Sequence, residues 1–263
     1  MLARMRYLRV SRVVCVPVLL SVLLLSGPAV AEEGKLIPLS AEMKKALALL
    51  GDGVVGKALP AMPLTDPKKY LALGPGTWEF KIVGGKDKGK TQKESFTKLA
   101  ENRWQRKIGD EYLEFISISA DKSHTKNAET ALSFGYRSTF EPGIHEATGL
   151  KPGESIKVES ELRVSTEKNP TDIKYTGKME GTLTYEGAYQ VTTPAGSFET
   201  VLIKTDLKIH VGPAHVEDTQ YTFFASGVGK VAEIEAQRIA AVLIYHSHSD
   251  TAKVLVKHPA GTR

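Results

Sequence analysis

The chain has 263 residues, of which 35 are Lys or Arg and 30 are Asp or Glu, and a single cysteine, Cys15. Four of the basic residues (Arg4, Arg6, Arg9, Arg12) and no acidic ones precede Glu32, so the rest of the chain is close to electroneutral. That balance removes the clustered positive surface of a general nucleic-acid binder. With Cys15 confined to the same N-terminal stretch, a disulfide framework, a cysteine-ligated zinc and a thiol nucleophile are excluded from the remainder.

The first 31 residues read as an export signal. The four arginines lead into the apolar run Val13 to Leu25, and Ala29-Val30-Ala31 offers the small residues read by a signal peptidase. The run is short for a bilayer span and ends at Ser26-Gly27-Pro28, without a basic stop-transfer cluster. Cleavage after Ala31 is therefore expected, giving a periplasmic or secreted protein that begins at Glu32. Arg12-Val13-Val14 stands before Cys15, where a lipoprotein signal needs Leu and small residues, so acylation there is not expected. Asn169 is followed by Pro170, which leaves no usable glycosylation site and suits a bacterial periplasm.

Residues 32–76 are expected to form one short helix and a connector. Ser40 can cap the helix, Met43, Ala46, Leu47 and Leu50 recur at its period, and Gly51 suits its C-terminal cap. The apolar stripe should pack on the main sheet. Pro60, Pro63, Pro67 and Pro75 make the connector extended, since repeated prolines exclude helix and central strand.

From Thr77 the period becomes two. Trp78, Phe80 and Ile82 alternate with Glu79 and Lys81, and Gly84-Gly85 with Lys88-Gly89 mark a turn. The basic residues Lys86, Lys88, Lys90 and Lys93 near this turn read as a solvated hairpin tip. Further strands are expected at 95–99, 104–108, 112–118, 156–164, 178–185, 188–192, 199–209, 216–224, 230–235, 238–245 and 252–256. The predicted fold is mainly β: a curved antiparallel sheet or half-barrel over 77–263, with one face buried and one polar.

The chemistry-bearing motifs are few. No Gly-x-Ser-x-Gly elbow, phosphate-cradling loop or dinucleotide fingerprint occurs, and Ser197 lies in a Pro-Ala-Gly turn. No cofactor is expected, and no catalytic residue is assigned. Strand alternation would place His246, His248 and Asp250 on one face, a three-ligand set for a metal, with His210 and His215 flanking Gly212-Pro213 nearby. The run from Arg238 to Tyr245 is apolar on both strand faces at Ala240, Ala241, Val242, Leu243 and Ile244, as a strand buried on both sides or lining an apolar cavity would be.

The segment Val191-Thr192-Thr193-Pro194-Ala195-Gly196-Ser197-Phe198 and the later Phe223-Phe224-Ala225-Ser226-Gly227-Val228-Gly229-Lys230-Val231 form a pair of turn signatures. Pro194 presets one turn, Gly196 can take a positive φ, and Gly227 and Gly229 permit the other. The pair resembles a signature of exported bacterial β-sheet proteins of uncharacterised function, similar in architecture to the lipoprotein-carrier (LolA/LolB-like) half-barrels. The resemblance implies a concave face that holds acyl chains. On that reading Trp78, Phe80, Phe223, Phe224, Leu243 and Ile244 bind a lipid or other apolar ligand, and the protein is a non-enzymatic envelope component in solution or in peripheral contact with a membrane. The alternatives are a metal-binding protein or metal-dependent enzyme using His246, His248 and Asp250, and a structural envelope protein with a protein partner.

Overall fold

The computed structural model describes residues 34–71, 73–241 and 245–259; the expected leader and cleavage site, Cys15, Leu243 and Ile244 lie outside them. The residues from Glu33 onward form one unit. Its elements are β1 (Lys35–Leu36), α1 (Ala41–Leu47) continued by a 3₁₀ turn (Ala48–Leu50), β2 (Val55–Ala61), a 3₁₀ turn (Pro67–Tyr70), β3 (Thr77–Gly84), β4 (Thr91–Ala100), β5 (Arg103–Ile108) and β6 (Tyr112–Ile118). They continue as β7 (His124–Ala131), β8 (Tyr136–Ala147), β9 (Ser155–Thr166), β10 (Ile173–Thr193), β11 (Gly196–Val211), β12 (Ala214–Ala225), β13 (Gly229–Ala241) and β14 (Tyr245–Lys257).

The half-barrel expectation is corrected: the sheet closes. Antiparallel pairing runs β10-β11-β12-β13-β14-β3-β4-β5-β6-β7-β8-β9, and β9 pairs back onto β10, giving a 12-strand barrel. The strands from β3 to β14 pair in sequence order, and the long-range pairing of β14 with β3 closes the ring; the 21-residue β10 has two parts. Its first part, from Ile173 to Thr184, pairs with β9, while Ala188 to Val191 pairs with β2 beyond a register shift at Tyr185/Gly187. One strand thus belongs to the barrel and carries an extension made of β2 and β1. The strand must also bend sharply. A Cβ at Gly177 would sit 2.0 Å from the His210 carbonyl oxygen, and one at Gly181 would sit 1.9 Å from that of Asp206, so only glycine admits this approach.

Two apolar clusters cover the two sides of the wall. Outside it, Met43, Leu47 and Leu50 from the helical segment pack on Leu202, Tyr221, Phe223, Ala232, Ile234 and Ala252. The helix follows its sequence signals, with the Ser40 hydroxyl accepting from Met43 N at 3.1 Å and Gly51 at φ 97°. Inside, Phe140, Ile144, Val158, Leu162, Met179, Leu183, Ile203 and Leu207 form the second cluster, joined by Ala61 and Leu64 from the connector. The connector crosses one barrel end: Leu64 N donates to Leu150 O at 2.8 Å, and Gly227 N donates to Lys69 O at 2.8 Å.

Other sequence expectations are revised in detail. β7 and β8 have no apolar alternation to mark them. The expected strands at 178–185 and 188–192 are one strand, β10. The expected strand 238–245 is two, because β13 ends at Ala241 and pairs there with Tyr245 at the start of β14. Of its apolar run, Ala240 and Ala241 end β13, and Val242, Leu243 and Ile244 lie outside the described residues. The Pro194-Ala195 pair closes the β10–β11 hairpin between the partners Thr193 and Gly196.

Candidate functional site

The closed sheet gathers charged side chains in its lumen. On β13, Glu233 and Glu235 alternate with Ala232 and Ile234; the apolar pair faces the helix, so the carboxylates face inward. Strands that are not neighbours then meet across the interior. Lys230 on β13 reaches Glu94 on β4 at 2.9 Å and Glu233 at 2.9 Å. Lys253 on β14 reaches Glu94 at 3.1 Å and Glu233 at 2.8 Å, and donates to Gln92 Oε1 at 2.8 Å. Arg106 on β5 pairs with both Glu114 on β6 and Glu146 on β8. Lys126 on β7 lies 3.4 Å from Glu114 and 3.1 Å from Glu129.

Burial alone would raise the Glu94 carboxyl, but Lys230, Lys253 and Arg106 outweigh it and hold the group at about 2. Burial likewise opposes charge on Lys253, and Glu233 and Glu94 overcome it, so the ammonium is retained. The network is thus a set of ionised pairs. Each of its cations meets two carboxylates.

Two lumen carboxylates remain outside that pairing. Asp218 on β12 and Glu235 on β13 form no ion pair among the described residues. Asp218 is 7 % exposed; its Oδ2 accepts from Gln220 Nε2 at 2.8 Å, and its buried Oδ1 has no hydrogen-bond partner. Burial and then the charge of Glu235 push the Asp218 carboxyl up to about 7. Burial and the charge of Glu233 raise Glu235 as well. The register rows Gln220–Glu235–Thr251 and Asp218–Gln237–Ser249 place both carboxylates toward the barrel end opposite the connector.

That end carries an apolar rim. Of the eight exposed large hydrophobic residues described, Tyr112, Phe134, Tyr136, Ile173 and Tyr175 stand at the β5–β6, β7–β8 and β9–β10 turns, Phe134 being 73 % exposed. Tyr112 and Tyr136 share a register row through Ala131, which puts both on the inward face. The Tyr112 hydroxyl is raised by burial and then by Glu129, Glu111 and Glu235, so it shares its surroundings with one of the unpaired acids, Glu235. Gln220, Glu235, Gln237, Ser249 and Thr251 are only half-buried, so water reaches the lumen from this side.

At the connector end the interior is sealed differently. His124 is 0 % exposed and neither ring nitrogen has a hydrogen-bond partner. Burial, and then Arg106, depress its imidazole to about 3, so the ring is neutral.

The residues expected to bind an apolar ligand are packed into the protein itself. Trp78, Phe80 and Phe223 belong to the cluster that includes the helix, Phe223 being 0 % exposed, while Phe224 belongs to the lumen cluster. Phe223 and Phe224 are adjacent on β12 and so point to opposite faces. Trp78 Nε1 donates to Val228 O at 3.0 Å, which ties β3 to the Gly227–Gly229 turn. Gly196, Gly227 and Gly229 take φ of 138°, 74° and 87°, as their turn roles require.

His246, His248 and Asp250 alternate on the outer wall. His248 Nε2 lies 3.2 Å from Asp250 Oδ2, and His246 and His248 line a 430 Å³ groove with His215, Glu217 and Arg238. His210 and His215 approach each other at 3.2 Å between Nδ1 atoms. Among the described residues no three His, Cys, Asp or Glu side chains converge as a metal site.

Sequence reasoning missed the lumen acids, bases and aromatic rim. A reader of β13 assigns Ala232 and Ile234 to the core and Glu233 and Glu235 to water. The available signal was the opposite side of the same strand: a helix with its own apolar stripe had to cover Ala232 and Ile234, which left the charged face for the interior of any sheet that closes.

No protein family matches the chain, and no curated protein matches it. Among solved structures, a Bacteroides fragilis protein with a YmcC-like fold matches at 12 % identity, covering 76 % of this chain and 99 % of that one, with a TM-score of 0.42. The hypothetical lipoprotein YmcC from Escherichia coli matches at 8 % identity over 84 % of this chain and 99 % of that one, with a TM-score of 0.38.

Among the described residues no helix is long and apolar enough to cross a membrane. On β9, Lys157, Glu159, Glu161 and Arg163 occupy the exposed face, where a spanning barrel carries an apolar band.

Proposed function

We propose that this is an exported cell-envelope protein that acts by binding rather than catalysis, and that it takes a lipid-like ligand at the turn end of its barrel. The observation that carries the reading is the rim of Tyr112, Phe134, Tyr136, Ile173 and Tyr175, gathered at three consecutive turns at one end of the barrel. Tyrosine and phenylalanine in such a ring suit a ligand that is apolar on one side and wet on the other. Export rests on the N-terminal arginines, the apolar run and Ala29-Val30-Ala31. The ligand site moves from Trp78, Phe80, Phe223 and Phe224, which serve the core, to the rim.

Titration with a fluorescent fatty acid and a fluorescent phospholipid tests this. Saturable binding is expected, weakened about tenfold by Phe134→Ser with Tyr136→Ser, which removes exposed apolar area without opening the core. Wild-type protein that binds neither probe would overturn the reading in favour of a structural envelope role.

A further inference from the structure

The lumen's charge arrangement has a remainder. Arg106, Lys126, Lys230 and Lys253 are each committed to two carboxylates among Glu94, Glu114, Glu129, Glu146 and Glu233. Among the described residues Asp218 and Glu235 form no ion pair, with Lys126 and, for Glu235, Lys253 and Lys230 acting only from a distance, although Asp218 is buried and keeps an unpartnered Oδ1. A buried carboxylate without a counter-charge is costly, and it is relieved either by a proton or by a cation brought from outside. Their position favours an outside cation. They lie toward the same end of the barrel as the inward-facing Tyr112 and Tyr136, and among the described residues no third His, Cys, Asp or Glu converges with them as a metal would require.

We propose that this end of the barrel binds an organic ammonium group, with Asp218 and Glu235 as its counter-charge and the faces of Tyr112 and Tyr136 as its aromatic walls. An alkylammonium is large enough to touch both kinds of group at once, and tyrosine faces attract it through the ring quadrupole. The inference rests on the lipid reading in that the ammonium belongs to a lipid headgroup; a free amine presents the same chemistry. Gln220, which donates to Asp218 Oδ2, holds that carboxylate so that Oδ1 remains for the ligand.

Isothermal titration of the purified protein with dihexanoyl phosphatidylcholine, dihexanoyl phosphatidylglycerol, choline and spermidine separates the two levels. Phosphatidylcholine should bind about tenfold more tightly than phosphatidylglycerol, and Asp218→Asn with Glu235→Gln should abolish that preference while retaining binding of both lipids. Tyr136→Leu, which keeps apolar area, should also reduce the preference, and a cooperative melting transition at or above that of wild type would show that these variants are folded. Equal affinity of the wild type for the two lipids would overturn the ammonium site and leave the lipid reading intact. Binding of choline or spermidine with neither lipid would support the ammonium site and overturn the lipid reading. Silence with all four would overturn both.

Discussion

The two halves of the barrel lumen solve the same packing problem with opposite chemistry. From β9 to β11, joined by Phe140 of β8, the inward face is apolar, built from Val158, Leu162, Met179, Leu183, Ile203 and Leu207. From β12 through β14 and on to β7 it is charged, built from Asp218, Glu233, Lys253, Glu94, Arg106, Glu114 and Lys126. The apolar half gains stability from area removed from water and tolerates rearrangement. The charged half gains little net energy from its pairs but is intolerant of losing one partner, because the other is stranded out of water. Packing fills one half, and specific pairing positions the other.

The largest expected effect breaks this contrast at its centre. Arg106→Met strands Glu114 and Glu146 and should cost about 3–5 kcal/mol in urea denaturation, whereas replacing Arg106, Glu114 and Glu146 together with Met or Leu should recover most of that loss. In the other half, Leu183→Ala should cost about 2–5 kcal/mol, and a change to Met should be nearly silent. If both halves responded alike to conservative apolar replacement, the contrast would be wrong.

A second test uses pH. The Asp218 carboxyl is raised to about 7, above its unfolded range, so its protonated form favours folding and stability falls as pH rises from about 4 through 7. Glu233 and Glu235 add like charge around it, and Lys126 partly offsets them. Glu94 has the opposite sign: held at about 2, it contributes stability that is lost as pH falls from about 4.5 toward 2. Asp218→Asn should therefore raise stability by roughly 2–4 kcal/mol above pH 7 and leave the acid limb unchanged. Parallel pH profiles for the two proteins would remove the unpaired-acid account.

The smallest expected effect lies outside the lumen. Gly196→Val should cost about 1–3 kcal/mol, arising from φ alone, since a Cβ there meets nothing nearer than Phe198 Cζ at 3.6 Å. A melting temperature equal to that of wild type would show that the turn can relax.

Local chemistry made part of this protein legible. Ser40 as the cap of α1, Gly51 after its last turn, the period-two pattern of Trp78, Phe80 and Ile82, and the Pro194-Ala195 hairpin are decided by neighbours within a few residues. Short-range sterics and hydrogen bonding act on them before any distant contact forms. Closure of the sheet was not legible, because the strands from β3 to β14 pair in sequence order and the ring closes only where β14 meets β3, at the far end of the sequence. The site followed closure. His246, His248 and Asp250 are conspicuous in sequence and lie on the outer wall, while Asp218 and Glu235, ordinary in sequence, are drawn inside. By itself the sequence determined the helix with its cap and the Pro194-Ala195 and Gly227–Gly229 turns, since those are set by local backbone preference, but not β7, β8 or the continuity of β10. Only the tertiary structure decided which face of each strand became interior, because burial is a property of the closed sheet and of the helix packed on its outer wall.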